Sequence, residues 1–170
     1  MLEIILILAV LGVDQLVKYL SELYLSPVGT SVPVVEGVFH FTSTHNAGAA
    51  WGMLQGKRWF FLILTAVICT CIVIALFRLR KKMSVLSRVT LCLLLAGALG
   101  NAIDRAVFAY VRDMFDFRLI NFPVFNVADC SLTIGCILMM VDALFMKERS
   151  MFEIKLRLPK REPDLDAKDG

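Results

Sequence analysis

The segments "VRDMFDF" (Val111 to Phe117) and "FNVADCSL" (Phe125 to Leu132) carry three carboxylates, Asp113, Asp116 and Asp129, at the margin of stretches apolar enough to lie in lipid. Just before them, "GNAIDR" offers Asn101 and Arg105, four residues apart and so on one face of a helix. Asn126 adds a second carboxamide beside Asp129. Two nearby carboxylates in a poorly solvated place resist ionising together, so such a pair holds one shared proton. That arrangement can hydrolyse an amide: one carboxylate takes a proton from the attacking water while the other, protonated, polarises the carbonyl. Asp129 is then half of a dyad, and spacing alone does not choose between Asp113 and Asp116 for the other half.

Other hydrolytic chemistries lack their residues. The only histidines are His40 and His45, and neither H-E-x-x-H nor G-x-S-x-G occurs, which argues against a zinc peptidase and a serine nucleophile elbow. His45 reads as a polar loop residue. The five cysteines are odd in number, lie in apolar segments and form no C-x-x-C, so they read as small buried hydrophobes. No cofactor, metal or nucleic acid is implied.

The elements that must position these groups are membrane spans. Of 170 residues 58% are hydrophobic and the mean hydropathy is +0.74, well above soluble domains at roughly 45–50% apolar. Four segments have the length and apolarity to cross a bilayer, at about 4–25, 59–77, 89–108 and 128–146. They predict one membrane domain over 1–146 and a charged cytoplasmic tail over 147–170. Arg78, Arg80, Lys81, Lys82 and Arg88 crowd the connection between spans two and three, so that side is expected to be cytoplasmic, with both termini. Ile4 to Val13 has Glu3 where a signal peptide is basic and no small-residue cleavage site, so it reads as a retained span. Asp129 and the connections before spans two and four then belong near the outer leaflet.

Ionisable groups inside spans are rare and point to function by default. Asp14 and Lys18, four apart on one helix face, read either as an internal ion pair or as substrate contacts. Asp142 lies about 20 Å along a helix from Asp129 at about 1.5 Å per residue, too far to share its site, and reads as an inner-interface anchor. In "THNAGAAWGML", Asn46 precedes the small residues Gly48, Ala49 and Ala50, where a backbone or a substrate can approach closely.

The blocks "DQLVK", "NAGAAWG", "GNAIDR", "VRDMFDF" and "FNVAD", in this order from Asp14 to Asp129, resemble the signature blocks of the bacterial lipoprotein signal peptidases, or signal peptidase II. The resemblance implies an all-α membrane protein: a four-transmembrane-helix bundle with a small extracytoplasmic β-rich cradle, in the bacterial inner membrane. It implies an aspartic endopeptidase that cuts signal peptides from prolipoproteins before the diacylglyceryl-modified cysteine. Prolipoprotein and membrane lipid are then its partners, and the chain is expected to be a monomer. By the same resemblance Asp113 and Asp129 match the catalytic aspartates, Asn101 and Arg105 line the site, and Asn126 orients the dyad. Asn46, Gly48, Asp14 and Lys18 match further signature positions, with site-lining or structural roles. Three residues depart from the family pattern: Arg112, where an apolar residue is usual, Trp51 for a commoner Phe, and Cys130 for a small hydroxyl residue. Arg112 lowers the pKa of Asp113 if it turns inward, but neighbours in an extended segment point opposite ways. The partial alternation in "VVEGVFHFTST" suits short strands.

Two other classes remain open from the residues alone. Asp14, Lys18 and Asp129 as a relay suggest a proton- or ion-coupled transporter, although no internal repeat is present. Asp104, Asp113, Asp116 and Asp129 as magnesium ligands suggest a lipid transferase.

Overall fold

The computed structural model describes residues 1–49 and 53–145. Ala50, Trp51, Gly52, Met146 and the tail 147–170 lie outside them. Four helices carry the chain: α1 Leu2–Tyr24, α2 Arg58–Leu79, α3 Val85–Phe108 and α4 Val127–Phe145. Between α1 and α2 lie two strands, β1 Ser31–Val35 and β2 Phe39–Asn46, and between α3 and α4 a third, β3 Val111–Phe117, followed by a 3-10 turn at Arg118–Ile120.

All four helices are long and apolar enough to span a bilayer. α3 is the central one, touching α1, α2 and α4, and 50% of its apolar window is buried against 11% for α1 and α2. Small residues make this possible. A Cβ on Gly97 would stand 2.5 Å from the Ala128 carbonyl oxygen and 2.8 Å from Leu132, so α3 and α4 meet almost backbone to backbone. The outer faces of α1, α2 and α4 expose Ile5, Leu8, Ile63, Val67, Ile137 and Leu144, as expected of surfaces solvated by acyl chains.

α3 begins earlier than the expected Val89 because Ser84 caps it, its hydroxyl accepting the Ser87 amide at 2.9 Å. Asp142, expected as an inner-interface anchor, makes its bonds inside the bundle. It is fully buried and accepts hydrogen bonds from Ser87 Oγ at 2.7 Å and Ser84 Oγ at 3.3 Å, joining the last turns of α4 to the start of α3. At the same end Glu3 binds Arg80 at 2.9 Å and Arg88 at 2.7 Å, tying the start of α1 to the basic α2–α3 connection.

The sheet lies at the opposite end of the bundle, where α1 and α3 finish. It is antiparallel in the order β1-β2-β3, and β3 closes it with Phe39 opposite Phe117 and Thr44 opposite Asp113. Strand alternation sorts the side chains. Phe39, Phe41, Phe115, Phe117 and Phe125 form an aromatic cluster with ring centroids 4.8 to 6.4 Å apart. Ser31, His40, Thr42 and Asp116 share hydrogen bonds elsewhere on the sheet.

Candidate active site

Asn126 begins the site. As N-cap of α4 its side-chain oxygen accepts the amide of Asp129 at 2.9 Å, while an oxygen of Asp129 accepts the amide of Asn126 at 3.2 Å. This reciprocal pair is a capping box with Asp at the third helical position. It fixes the Asp129 carboxylate at a helix N-terminus, where negative charge is favoured. The amide of Ala128, another of the helix's free donors, goes to Asp14 Oδ1 at 2.8 Å.

The Asn126 carboxamide also donates to Asp113 Oδ1 at 2.6 Å and to Asn101 Oδ1 at 3.1 Å, and Asn101 donates to Asp129 Oδ1 at 2.7 Å. Asn126, fully buried, thus bonds both carboxylates, Asp113 through its side chain and Asp129 through its backbone amide. Asn46 donates to the other oxygen of Asp113 at 3.2 Å and accepts the Gly48 amide at 2.9 Å, and Arg105 donates to the Gly48 carbonyl at 2.8 Å. These bonds attach the segment after β2 to α3. Arg105 also stacks its guanidinium 4.7 Å from the Phe61 ring.

Asp113 is 3% exposed. Burial, and then the negative charge of Asp129, push its carboxyl up to about 7, against the pull of the Asn126 and Asn46 hydrogen bonds. Asp116, three residues on, behaves differently. Burial would raise it, but hydrogen bonds from Thr42 at 2.7 Å and Arg118 at 3.0 Å outweigh that and hold it below the usual carboxylate range.

Asn46, Gly48, Asn101, Arg105, Asp113 and Asp129 line one open cavity of about 1040 Å³, and Cys130 lines it as well. From this polar end it runs between α2, α3 and α4 past Thr65, Ile68, Ile72, Leu94 and Ile134. Asn126 lies behind the cavity wall, fully buried. Asp14 and Lys18 lie deeper still, joined at 2.9 Å as an i,i+4 pair, with Lys18 also 3.4 Å from Asp104 and 3.2 Å from Asn101 Oδ1.

Sequence reasoning singled out neither Gln15 nor Glu22, and named Asp104 only as a magnesium ligand in the transferase reading. In the structure both oxygens of Asp104 meet Arg112, and Gln15 bridges Asp14, Asp104 and Arg112. The signal was the repeat of polar side chains at Asn101, Asp104 and Arg105, one helical face. Arg112 turns away from Asp113. His45 sits in β2 rather than in a loop, 3.3 Å from Glu22 and stacked on Tyr110. The acids of the transferase reading do not converge: Asp104 is held by Lys18 and Arg112, and Asp116 by Arg118.

A bundle of four apolar helices capped by a small sheet, with two carboxylates at one cavity both hydrogen-bonded to Asn126, defines a membrane aspartic hydrolase. Residues 6–145 match the family described as Signal peptidase (SPase) II, and the chain belongs to that family. The lipoprotein signal peptidase of Brevibacillus brevis is 48% identical over 133 residues, 78% of this chain and 88% of its own length. That of Clostridioides difficile is 39% identical over 151 residues, 88% and 99% respectively. A solved bacterial membrane enzyme, determined in meso at 2.3 Å, superposes with a TM-score of 0.77 at 38% identity, covering 85% of this chain and 88% of its own. Family membership removes the transporter and the lipid transferase as readings of the whole protein.

Proposed function

We propose that Asp113 and Asp129 are the hydrolytic pair with which this aspartic peptidase removes signal peptides from prolipoproteins. The observation that carries the reading is the buried Asn126 carboxamide, bonded to Asp113 and, through its backbone and Asn101, engaged with Asp129. One carboxylate accepts a proton from a water as that water attacks the scissile carbonyl. The other gives its proton to the carbonyl oxygen, and collapse of the tetrahedral intermediate returns a proton to the leaving amine. Because each aspartate has fixed hydrogen-bond partners on its inner side, neither needs to reorient as the proton moves.

The apolar length of the cavity suits the rest of the substrate. Acyl chains of a diacylglyceryl-modified cysteine rest along Ile68, Ile72 and Leu94, where their burial contributes about 0.8 kcal/mol per CH₂ and sets the register of the cut. The substrate arrives sideways from the outer leaflet. The sheet is then an extracytoplasmic cradle, with both termini cytoplasmic and the site near the outer surface of the inner membrane. Asn101 and Arg105 bind the substrate backbone, as do Asn46 and Gly48, while Asp14 and Lys18 support the site from behind. The chain acts as a monomer without a cofactor.

Mass spectrometry of products from purified enzyme tests this reading. A diacylglyceryl-modified prolipoprotein is expected to be cut just before its lipidated cysteine and the unlipidated precursor to persist. Comparable cleavage of the unlipidated precursor contradicts the reading.

A further inference from the structure

Arg112 directly precedes Asp113 on β3, and the structure gives its side chain a place of its own. Its guanidinium is almost wholly buried and grips two helices at once. Nε and Nη2 reach both oxygens of Asp104 on α3 at 3.2 and 2.8 Å. Nη2 also donates to Gln15 Oε1 at 3.0 Å and Nη1 to Glu22 Oε2 at 3.3 Å, both on α1. Its carbon lies 4.6 Å from the centre of the Phe108 ring, and its backbone amide donates to Asp104 Oδ2 at 3.0 Å.

We propose that Arg112 is a positioning residue for peptide hydrolysis: its fork locks the first residues of β3 to α1 and α3 and so fixes where Asp113 stands relative to Asp129. The inference rests on the reading of those two aspartates as the hydrolytic pair. Strand alternation sends the next side chain, Asp113, away from the fork and toward Asn126 and Asn46. A second path leads to the other carboxylate. Asp104 is shared with Lys18, Lys18 donates to Asn101 Oδ1, and Asn101 donates to Asp129 Oδ1. Both carboxylates are therefore referenced to one buried ionic knot. His45, opposite Arg112 across the β2–β3 ladder, brings its Nε2 to 3.3 Å from Glu22 at the edge of the knot. A lysine at 112 keeps the charge but reaches one point, where the planar fork reaches Asp104, Gln15 and Glu22 together.

The test compares Arg112→Leu and Arg112→Lys with the unsubstituted enzyme in mixed micelles. It measures kcat and KM on diacylglyceryl-modified prolipoprotein from acid to alkaline pH, per folded molecule. Displacement of Asp113 by about 1 Å predicts a kcat lower by about 100-fold in Arg112→Leu and about 10-fold in Arg112→Lys, with KM little changed. The alkaline limb of kcat moves to lower pH in both, because carboxylates drawn apart give up the shared proton sooner. Unchanged kcat and an unchanged alkaline limb in either variant overturn the proposal, since a residue serving stability alone lowers only the melting temperature. If Arg112→Leu does not fold, Arg112→Lys decides by the same criterion. Asp129→Asn, run alongside, separates the two claims: activity in that variant sinks the hydrolytic pair itself, whatever position 112 does.

Discussion

At the scale of residues, an acid beside lipid is made tolerable by having every bond assigned. Asp129 takes the amide of Asn126 and the carboxamide of Asn101, and its own amide is capped in return. Asp113 is dressed by Asn126 and Asn46 and sits where burial and Asp129 raise its carboxyl to about 7. A pair that works with one shared proton loses it as pH rises through that value. kcat is therefore expected to fall tenfold per pH unit well above about 7 and to plateau below it, until the second carboxylate also protonates. A kcat that climbs steadily between pH 6 and 9 would show that no carboxylic acid is required. Spacing alone left Asp113 and Asp116 as equals, with only the family resemblance favouring Asp113, because a three-residue spacing means one thing on a helix and the opposite on a strand. With β3 extended, alternation sends Asp113 toward Asn126 and Asp116 toward Thr42 and Arg118.

The elements were unevenly legible. The helices announce themselves, since apolar runs of about 20 residues have few other uses. The strand Val111–Phe117 did not, because its alternation sets Arg112, Met114 and Asp116 against Val111, Asp113, Phe115 and Phe117, mixing charge and apolar side chains on both faces. Both sides are partly buried, so no clean polar face exists to be read. The N-terminus of α4 is written plainly as Asn126-x-x-Asp129, a capping signature whose two residues also serve the site. Close packing of α3 on α4 depends on Gly97, and its neighbour across the contact, Ala128, stands beside Asp129. Gly97→Ala must push α4 outward, since backbone oxygen cannot give way as a flexible side chain can. A melting temperature several degrees lower and a kcat reduced by about 10-fold or more are expected in detergent. Wild-type values for both would mean that the helix contact has slack the geometry does not show.

For the whole molecule, the two ends of the bundle have different work. One end is tied by Glu3 to Arg80 and Arg88 and by Asp142 to Ser84 and Ser87; the other carries the sheet and the acids. Basic residues concentrated at the first end predict that it faces the cytoplasm. A membrane-impermeant thiol reagent is accordingly expected to label Glu36→Cys in intact cells and Lys82→Cys only after the membrane is opened, each in a cysteine-free background. The reverse pattern would invert the protein and remove its site from the leaflet where the substrate waits. An expectation of that kind needs only the placement of charges along the sequence, whereas the knot of Gln15, Glu22, Asp104 and Arg112 needs residues about 90 positions apart to meet.

The central claim is the pairing of Asp113 with Asp129, and turnover of a diacylglyceryl-modified prolipoprotein by Asp113→Asn, Asp116→Asn and Asp129→Asn, each confirmed folded, tests it most directly. The account predicts loss of about 1,000-fold or more in kcat at 113 and at 129 and near-normal turnover at 116. Normal cleavage by either Asp113→Asn or Asp129→Asn would contradict it.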